Sequence, residues 1–215
     1  AHYRSMGKVR FIVIAAFALF VLFAMLLIGL IQDFLAQEYA QFDEVTTYIV
    51  RRVFDETWLS VMNDAAGIGS DSVIIAFIAM TGGWIAVKGK DRVLELAIFL
   101  ATVLAGKGLS WLLRNLFHRE GPGGELSGWT YPSEQAMMSL IVFGFSAYLL
   151  LRHFGNHAMR LAAAIVVIAI CLVIGIGLVY LRSQYPSDVA AGYVFGGVWL
   201  SLNFILLEVM RTARF

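Results

Sequence analysis

The stretch GWTYPSEQAMMSL, residues 128–140, places a proline and three polar side chains directly before a long apolar run. Pro132 followed by Ser133 is typical of a helix start, because proline suits the first turn and a serine hydroxyl caps free backbone amides. Glu134 and Gln135 then stand at the beginning of an apolar helix, where costly polar groups indicate a functional site. The stretch therefore predicts a membrane helix that begins at a site.

The composition is that of a membrane protein. Of the 215 residues, 60% are hydrophobic and only 14% are charged, which is too little charge to cover a water-soluble domain. Several apolar runs reach the roughly 20 residues that span a bilayer. A net charge of +1 does not suggest a nucleic-acid partner. The single cysteine, Cys171, lies inside an apolar run and is expected to be a buried structural thiol.

We expect an all-α, polytopic membrane protein with six transmembrane helices. The predicted spans are residues 11–31, 70–87, 93–117, 133–151, 158–181 and 187–210. Residues 1–6 (AHYRSM) resemble a cloning remnant, so residues 7–215 are expected to form one domain. Apolar residues at near-helical spacing also predict one amphipathic helix over residues 44–62, lying at the outer interface. This helix is either a packing element or a lid over a lateral lipid entrance.

Basic residues predict the orientation. Ten of them fall on one side of the predicted spans, and the positive-inside rule makes that side cytoplasmic. We therefore expect a cell (inner or plasma) membrane protein with both termini in the cytoplasm and the polar clusters outside. The ten residues are Arg4, Lys8, Arg10, Lys88, Lys90, Arg92, Arg152, Arg160, Arg211 and Arg214.

Three polar clusters are brought to the outer side by this topology. They are LRNLFHREGP (residues 113–122), GWTYPSEQAMMSL and YLRSQYPSDVAAGY (residues 180–193). The three prolines of the chain all lie within them. Polar groups that converge at membrane-helix ends indicate one shared site.

Together with the six spans, these clusters resemble the type-2 phosphatidic acid phosphatase superfamily, the integral-membrane lipid phosphatases. The resemblance covers nearly the whole chain and rests on the family motifs KxxxxxxRP, PSGH and SRxxxxxHxxxD. It implies that the third-motif histidine attacks phosphorus, that the following aspartate orients it, and that the second-motif histidine protonates the leaving oxygen. The basic residues, with the serine and glycine of PSGH, would hold the phosphate oxygens. No metal or other cofactor is implied.

In this chain the resemblance breaks at the reactive positions. The motif positions are occupied by Arg114, Gly121, Ser133, Glu134, Gln135, Gly177, Leu178, Gln184 and Asp188. Gln135 replaces the general acid and Gln184 replaces the nucleophile. Glutamine forms hydrogen bonds but neither attacks phosphorus nor transfers protons near neutral pH. Gly121 and Leu178 replace two arginines, and Glu134 brings a negative charge where the family has glycine.

The remaining motif positions change less or carry no catalytic group. Arg114 keeps the charge of the lysine, Ser133 and Asp188 are retained, and Gly177 replaces a serine. We expect the chain to have no catalytic residues. We expect the cavity at the position of the family's active site to bind a ligand instead. The expected ligand-binding residues are Arg114, Arg119, Ser133, Glu134, Gln135, Arg182, Gln184 and Asp188. An ion pair between Glu134 and Arg114, Arg119 or Arg182 would form a network within the protein in place of an anion-binding pocket.

The leading hypothesis is a catalytically inactive relative that binds a membrane lipid, a lipid-linked phosphate or a membrane-protein partner. An active phosphatase for phosphatidate, phosphatidylglycerophosphate or a polyprenyl pyrophosphate is the first alternative. In that case His118, or a water held by Glu134 and Asp188, would act. A transporter or flippase is the second alternative, and it is disfavoured because no paired ionisable groups are expected deep in the spans beyond Lys107.

Overall fold

The chain folds as a bundle of helices with one small hairpin. A computed structural model describes residues 2–35, 39–89, 91–154 and 156–212. The helices are α1 (His2–Leu35), α2 (Tyr39–Val53), α3 (Leu59–Ile68), α4 (Asp71–Lys88), α5 (Arg92–Phe117), α6 (Glu134–Phe154), α7 (His157–Tyr180) and α8 (Pro186–Thr212). The strands are β1 (Glu120–Gly121) and β2 (Gly124–Trp129), and a 3-10 turn spans Glu56–Trp58.

Five helices among the described residues, α4 to α8, are long and apolar enough to cross a membrane. They correspond to the second to sixth predicted spans, with bounds that differ by at most three residues. In α1 the apolar segment described is Val13–Gly29, which is shorter than a full span. The protein is thus a multi-pass membrane protein, and the count of six spans stays a prediction.

Helix α6 forms the centre of the bundle. Met137, Ile141, Phe145 and Leu149 recur every four residues along it, and each side chain is fully buried. Helix α6 contacts α4, α5, α7 and α8. Because α6 is central and begins at Glu134, its first turn lies where several other helices end or start.

The predicted interfacial helix over residues 44–62 is wrong as one continuous helix. Helix α2 ends at Val53, and α3 begins at Leu59 after a 3-10 turn. The Asp55 carboxylate accepts hydrogen bonds from the Thr57 backbone amide (3.1 Å) and hydroxyl (2.5 Å). This carboxylate satisfies a free amide of a new helical turn, so the chain restarts there instead of continuing α2.

The loop between α5 and α6 contains the antiparallel hairpin, which the all-α prediction did not include. Glu120 lies opposite Trp129, and the Thr130 amide donates to the Arg119 carbonyl (3.0 Å). The hairpin therefore holds Arg119 next to Thr130, immediately before α6. The all-α class is otherwise confirmed, and Cys171 is buried as expected.

Paired ionisable groups also occur at the ends of three predicted spans, where α5, α6 and α8 meet. At the end opposite Glu134, Arg152 of α6 lies 3.4 Å from both Glu95 and Glu208, with side chains 11%, 0% and 2% exposed. The Tyr148 hydroxyl also donates to Glu208. The sequence shows each residue alone in an apolar helix, and only the packing of α5, α6 and α8 brings them together.

Candidate functional site

A small polar cavity of about 260 Å³ lies at the start of α6. It is enclosed by the α3–α4 junction, the end of α5, the first turn of α6 and the turn between α7 and α8. Its lining residues are Gly69, Ser70, Asp71, Ile74, Arg114, Glu134, Gln135, Met138 and Gln184. Three of the predicted clusters thus supply residues to one cavity.

Glu134 is paired with two cations at this cavity. Arg114 Nη1 donates to Glu134 Oε2 (2.7 Å), and Lys107 Nζ lies 2.9 Å from Glu134 Oε1. Lys107 Nζ also lies 3.4 Å from Asp71 Oδ1, and Arg114 Nε donates to the Trp129 carbonyl (2.7 Å). The predicted arginine partner of Glu134 is Arg114. The positive groups of the cavity are therefore already neutralised by carboxylates of the chain.

Gln135 and Gln184, which the sequence resemblance aligns with the motif histidines, both line the small cavity. Gln135 belongs to the first turn of α6, and Gln184 belongs to the turn after α7. Gln184 Oε1 is buried and has no hydrogen-bond partner among the described residues. A buried amide oxygen without a partner is a costly feature. Gln184, a lining residue of the cavity, thus carries an acceptor that no described group satisfies.

Ser133 is committed to the local backbone. It is fully buried, and its hydroxyl accepts from the Ala136 amide (3.2 Å), which is the predicted helix cap. Its own amide donates to the Asp188 carbonyl (2.9 Å). Helix α8 comes this close because Gly192 has no side chain, since a Cβ there would lie 2.5 Å from the Ser133 carbonyl oxygen.

Arg119 lies outside the small cavity, in a buried network with α2 and α8. Its Nη2 donates to Asp43 Oδ2 (2.5 Å), and its Nη1 donates to Asp188 Oδ1 (2.7 Å) and to the Ser187 hydroxyl (2.6 Å). The Ser187 amide donates to Asp43 Oδ1 (2.7 Å). The three charged side chains are 10% exposed or less. The network fastens α2 to the start of α8.

Asp188 is held by several hydrogen bonds besides its pair with Arg119. Its Oδ2 accepts from the Thr130 hydroxyl (2.8 Å) and the Tyr185 amide (3.2 Å), in addition to the Arg119 pair. Asp188 does not line the small cavity. Tyr131 lies nearby, outside the spans. Burial, followed by the negative charge of Asp188, raises the pKa of Tyr131 to about 12.

A larger cavity of about 1130 Å³ lies between α2 and the turn after α7. Arg51 and Arg52 of α2 line it, together with Arg119 and the exposed Arg182. Gln184 lines both this cavity and the small one. Arg182 is thus placed away from Glu134, on the larger cavity.

The other replaced motif positions carry no group toward the small cavity. Gly121 is buried in β1, and Leu178 is 2% exposed within the apolar core. Gly177 touches the α3 backbone so closely that a Cβ would lie 2.8 Å from the Met62 carbonyl oxygen. His118 ends α5 in a left-handed conformation, with its ring 4.9 Å from that of Trp129, and lines neither cavity.

Sequence reasoning missed several residues of these networks. Asp43 lies one residue before the predicted interfacial helix, and Asp71 and Lys107 lie within predicted spans without a predicted role at the site. Lys107 pairs with Glu134, with 54% of its side chain exposed. The sequence alone could have indicated Asp71 and Lys107 as site residues, since both are ionisable groups within predicted apolar spans.

Comparison with known proteins identifies the fold. No protein-family model and no curated protein matches the sequence. The structure is similar to the crystal structure of a transmembrane PAP2-type phosphatidylglycerolphosphate phosphatase from Bacillus subtilis, with a TM-score of 0.67 and 21% sequence identity. The similarity covers 92% of this chain and 96% of that one.

Proposed function

Proceeding from the fold of the PAP2-type membrane phosphatases, we propose that this chain is a catalytically inactive lipid-phosphatase-like protein. It binds a membrane lipid, or a membrane-protein partner, through the cavity at the start of α6. The residues that would hold the lipid head group are Arg114, Glu134, Gln135 and Gln184, which line that cavity. Arg119 and Asp188 support it from the neighbouring network instead of touching the ligand.

One observation carries this proposal: both glutamines line a cavity in which Glu134 is paired with the lining residue Arg114 and with the adjacent Lys107. Hydrolysis of a phosphate ester through a covalent intermediate needs a nucleophile and a proton donor at the reacting atoms. The amides at the two histidine positions supply neither. Losing one essential member of such a set typically costs about 10⁴ to 10⁶ in rate. A maintained polar cavity without these groups favours binding over turnover.

The test is phosphate release by the purified full chain in detergent micelles. Phosphatidate, phosphatidylglycerolphosphate and a polyprenyl pyrophosphate are offered in turn, with heat-denatured protein as the blank. We expect no release above the blank. The His118→Ala variant serves as a check on the alternative base. Turnover by the wild-type chain that this variant abolishes would refute the proposal in favour of rewired chemistry.

We further propose that the cavity opens to the outer side of the membrane, with both termini in the cytoplasm. Basic residues at the opposite end of the bundle, Lys88, Arg152 and Arg160 among them, support this orientation through the positive-inside rule. In a Cys171→Ser background, a cysteine at position 128 should react in whole cells with a membrane-impermeant thiol reagent. A cysteine at position 156 should react only after lysis, and the reverse pattern would overturn the orientation.

A further inference from the structure

We infer that the small cavity selects an uncharged, hydroxyl-bearing lipid head group and rejects a phosphate monoester. This inference rests on the proposed function and specifies its ligand. It is carried by three features of the cavity: its charge balance, the unpartnered oxygen of Gln184 and its size.

The charges around the cavity already cancel. Two carboxylates, Glu134 and Asp71, face two cations, Arg114 and Lys107, at distances of 2.7 to 3.4 Å. A phosphate dianion bound here would have to displace Glu134 from both cations and would then be left beside that carboxylate. Like charges brought together at a binding site cost several kcal/mol. An uncharged head group meets no such penalty.

The hydrogen-bonding groups of the cavity fit hydroxyls. Gln184 Oε1 needs a donor, and a phosphate dianion offers none, whereas a hydroxyl donates as well as accepts. Gln135 in the same wall carries a second amide, which can donate to a hydroxyl oxygen. A hydroxyl-bearing group can therefore satisfy a buried acceptor that would otherwise remain without a partner.

The size of the cavity restricts what enters it. A volume of about 260 Å³ is below the roughly 300–1,000 Å³ of pockets that enclose drug-sized ligands. It can accommodate a glycerol or single-sugar head group but not the acyl chains. The apolar chains would remain outside the cavity, where α5 and α7 expose apolar side chains such as Leu104 and Leu172.

The experiment compares short-chain lipids that share their acyl chains and differ in the head group. Dioctanoylglycerol, its glucosyl derivative and dioctanoyl phosphatidate are titrated against the purified full chain in detergent, with native mass spectrometry as the readout. We expect the preferred uncharged lipid to bind at least about tenfold more tightly than phosphatidate, a difference of about 1.4 kcal/mol. Comparing dioctanoylglycerol with its glucosyl derivative shows whether the cavity prefers a free glycerol hydroxyl or a sugar.

Variants then test the role of the amide. Gln184→Leu should weaken binding of the preferred uncharged lipid roughly two- to tenfold, because one hydrogen bond is lost. Gln41→Leu makes the same change at an exposed position of α2 that lines neither cavity, and it should leave binding unchanged. Equal affinities for the two variants would overturn the assignment of Gln184 as the acceptor.

The comparison of the three lipids on the wild-type chain tests the inference even if Gln184→Leu does not fold. Tighter binding of phosphatidate without its hydrolysis would overturn the head-group inference and leave the proposed lipid-binding function intact. Absence of binding in all three arms would overturn the proposed function and this inference with it.

Discussion

Replacing Glu134 by glycine should convert the small cavity into a phosphate-binding site. Glu134 holds Lys107 at 2.9 Å and Arg114 at 2.7 Å, so its removal frees Arg114 Nη1 and leaves Lys107 paired only with the exposed Asp71 at 3.4 Å. A charge-assisted hydrogen bond contributes about 1.5–3 kcal/mol when well shielded. Because Lys107 and Arg114 are 54% and 31% exposed, solvent screening reduces this to about 1 kcal/mol each. Together they supply about 2 kcal/mol, or roughly 30-fold in affinity for phosphatidate.

The assay is equilibrium binding of dioctanoyl phosphatidate to wild type and Glu134→Gly in the same detergent. Raising the salt concentration should weaken binding to the variant, because the partly exposed cations are screened. Hydrolysis should still be absent, since Gln135 and Gln184 are unchanged.

The control is Glu56→Gly, which makes the same change at an exposed position lining neither cavity. This variant should bind phosphatidate as weakly as wild type. If Glu134→Gly is folded, as judged by circular dichroism, and still binds no better than the control, then Glu134 does not block a phosphate site. That result would refute the charge argument.

Three further predictions concern stability, measured as thermal unfolding in detergent. Arg119→Met should lower the free energy of unfolding by about 3–5 kcal/mol, because it leaves buried carboxylates unpaired. Gly177→Ala should destabilise by about 1–3 kcal/mol through its clash with α3, whereas Gly108→Ala, with nothing within 4 Å, should stabilise α5 by about 0.5–1 kcal/mol. Tyr131 should contribute about 2–3 kcal/mol to the loss of stability between pH 10 and 12, because its pKa is raised to about 12 in the folded chain, and Tyr131→Phe should lose correspondingly less than wild type.

The sign of the pH effect follows from which state binds the proton more tightly. The Tyr131 phenol keeps its proton in the folded chain up to about pH 12, whereas the unfolded chain releases it near its ordinary value of 10. Its stabilising contribution is therefore complete below pH 10 and falls as the pH rises toward 12. Parallel pH curves for wild type and Tyr131→Phe would contradict this account. Equal midpoints for Gly177→Ala and Gly108→Ala would contradict the close approach of α3 to α7.

Local sequence patterns predicted much of the fold because they act over short distances. Apolar length located α4 to α8 within a few residues, and Pro132 with Ser133 predicted the start of α6. The break between α2 and α3 was missed because apolar spacing continues through Asp55. Only the side-chain bond from Thr57 to Asp55 marks the new turn.

The site was predicted in part. The resemblance to the family motifs implied that Gln135 and Gln184 share one site, and both line one cavity although 49 positions separate them in the chain. The sequence could not assign Arg119 to Asp43 and Arg114 to Glu134, because any of three nearby arginines can reach a carboxylate. That choice depends on the hairpin and on the packing of α2, which are tertiary properties.

The link between Asp43, Arg119 and Ser187 opposes any separation of α2 from the bundle. Such a separation would break the hydrogen bonds that Asp43 accepts from Arg119 and from the Ser187 amide, at a combined cost of about 3–5 kcal/mol. This corresponds to one open molecule for roughly every hundred to few thousand closed ones. We therefore expect that a lipid entering beneath α2 would bind slowly even when its final affinity is high.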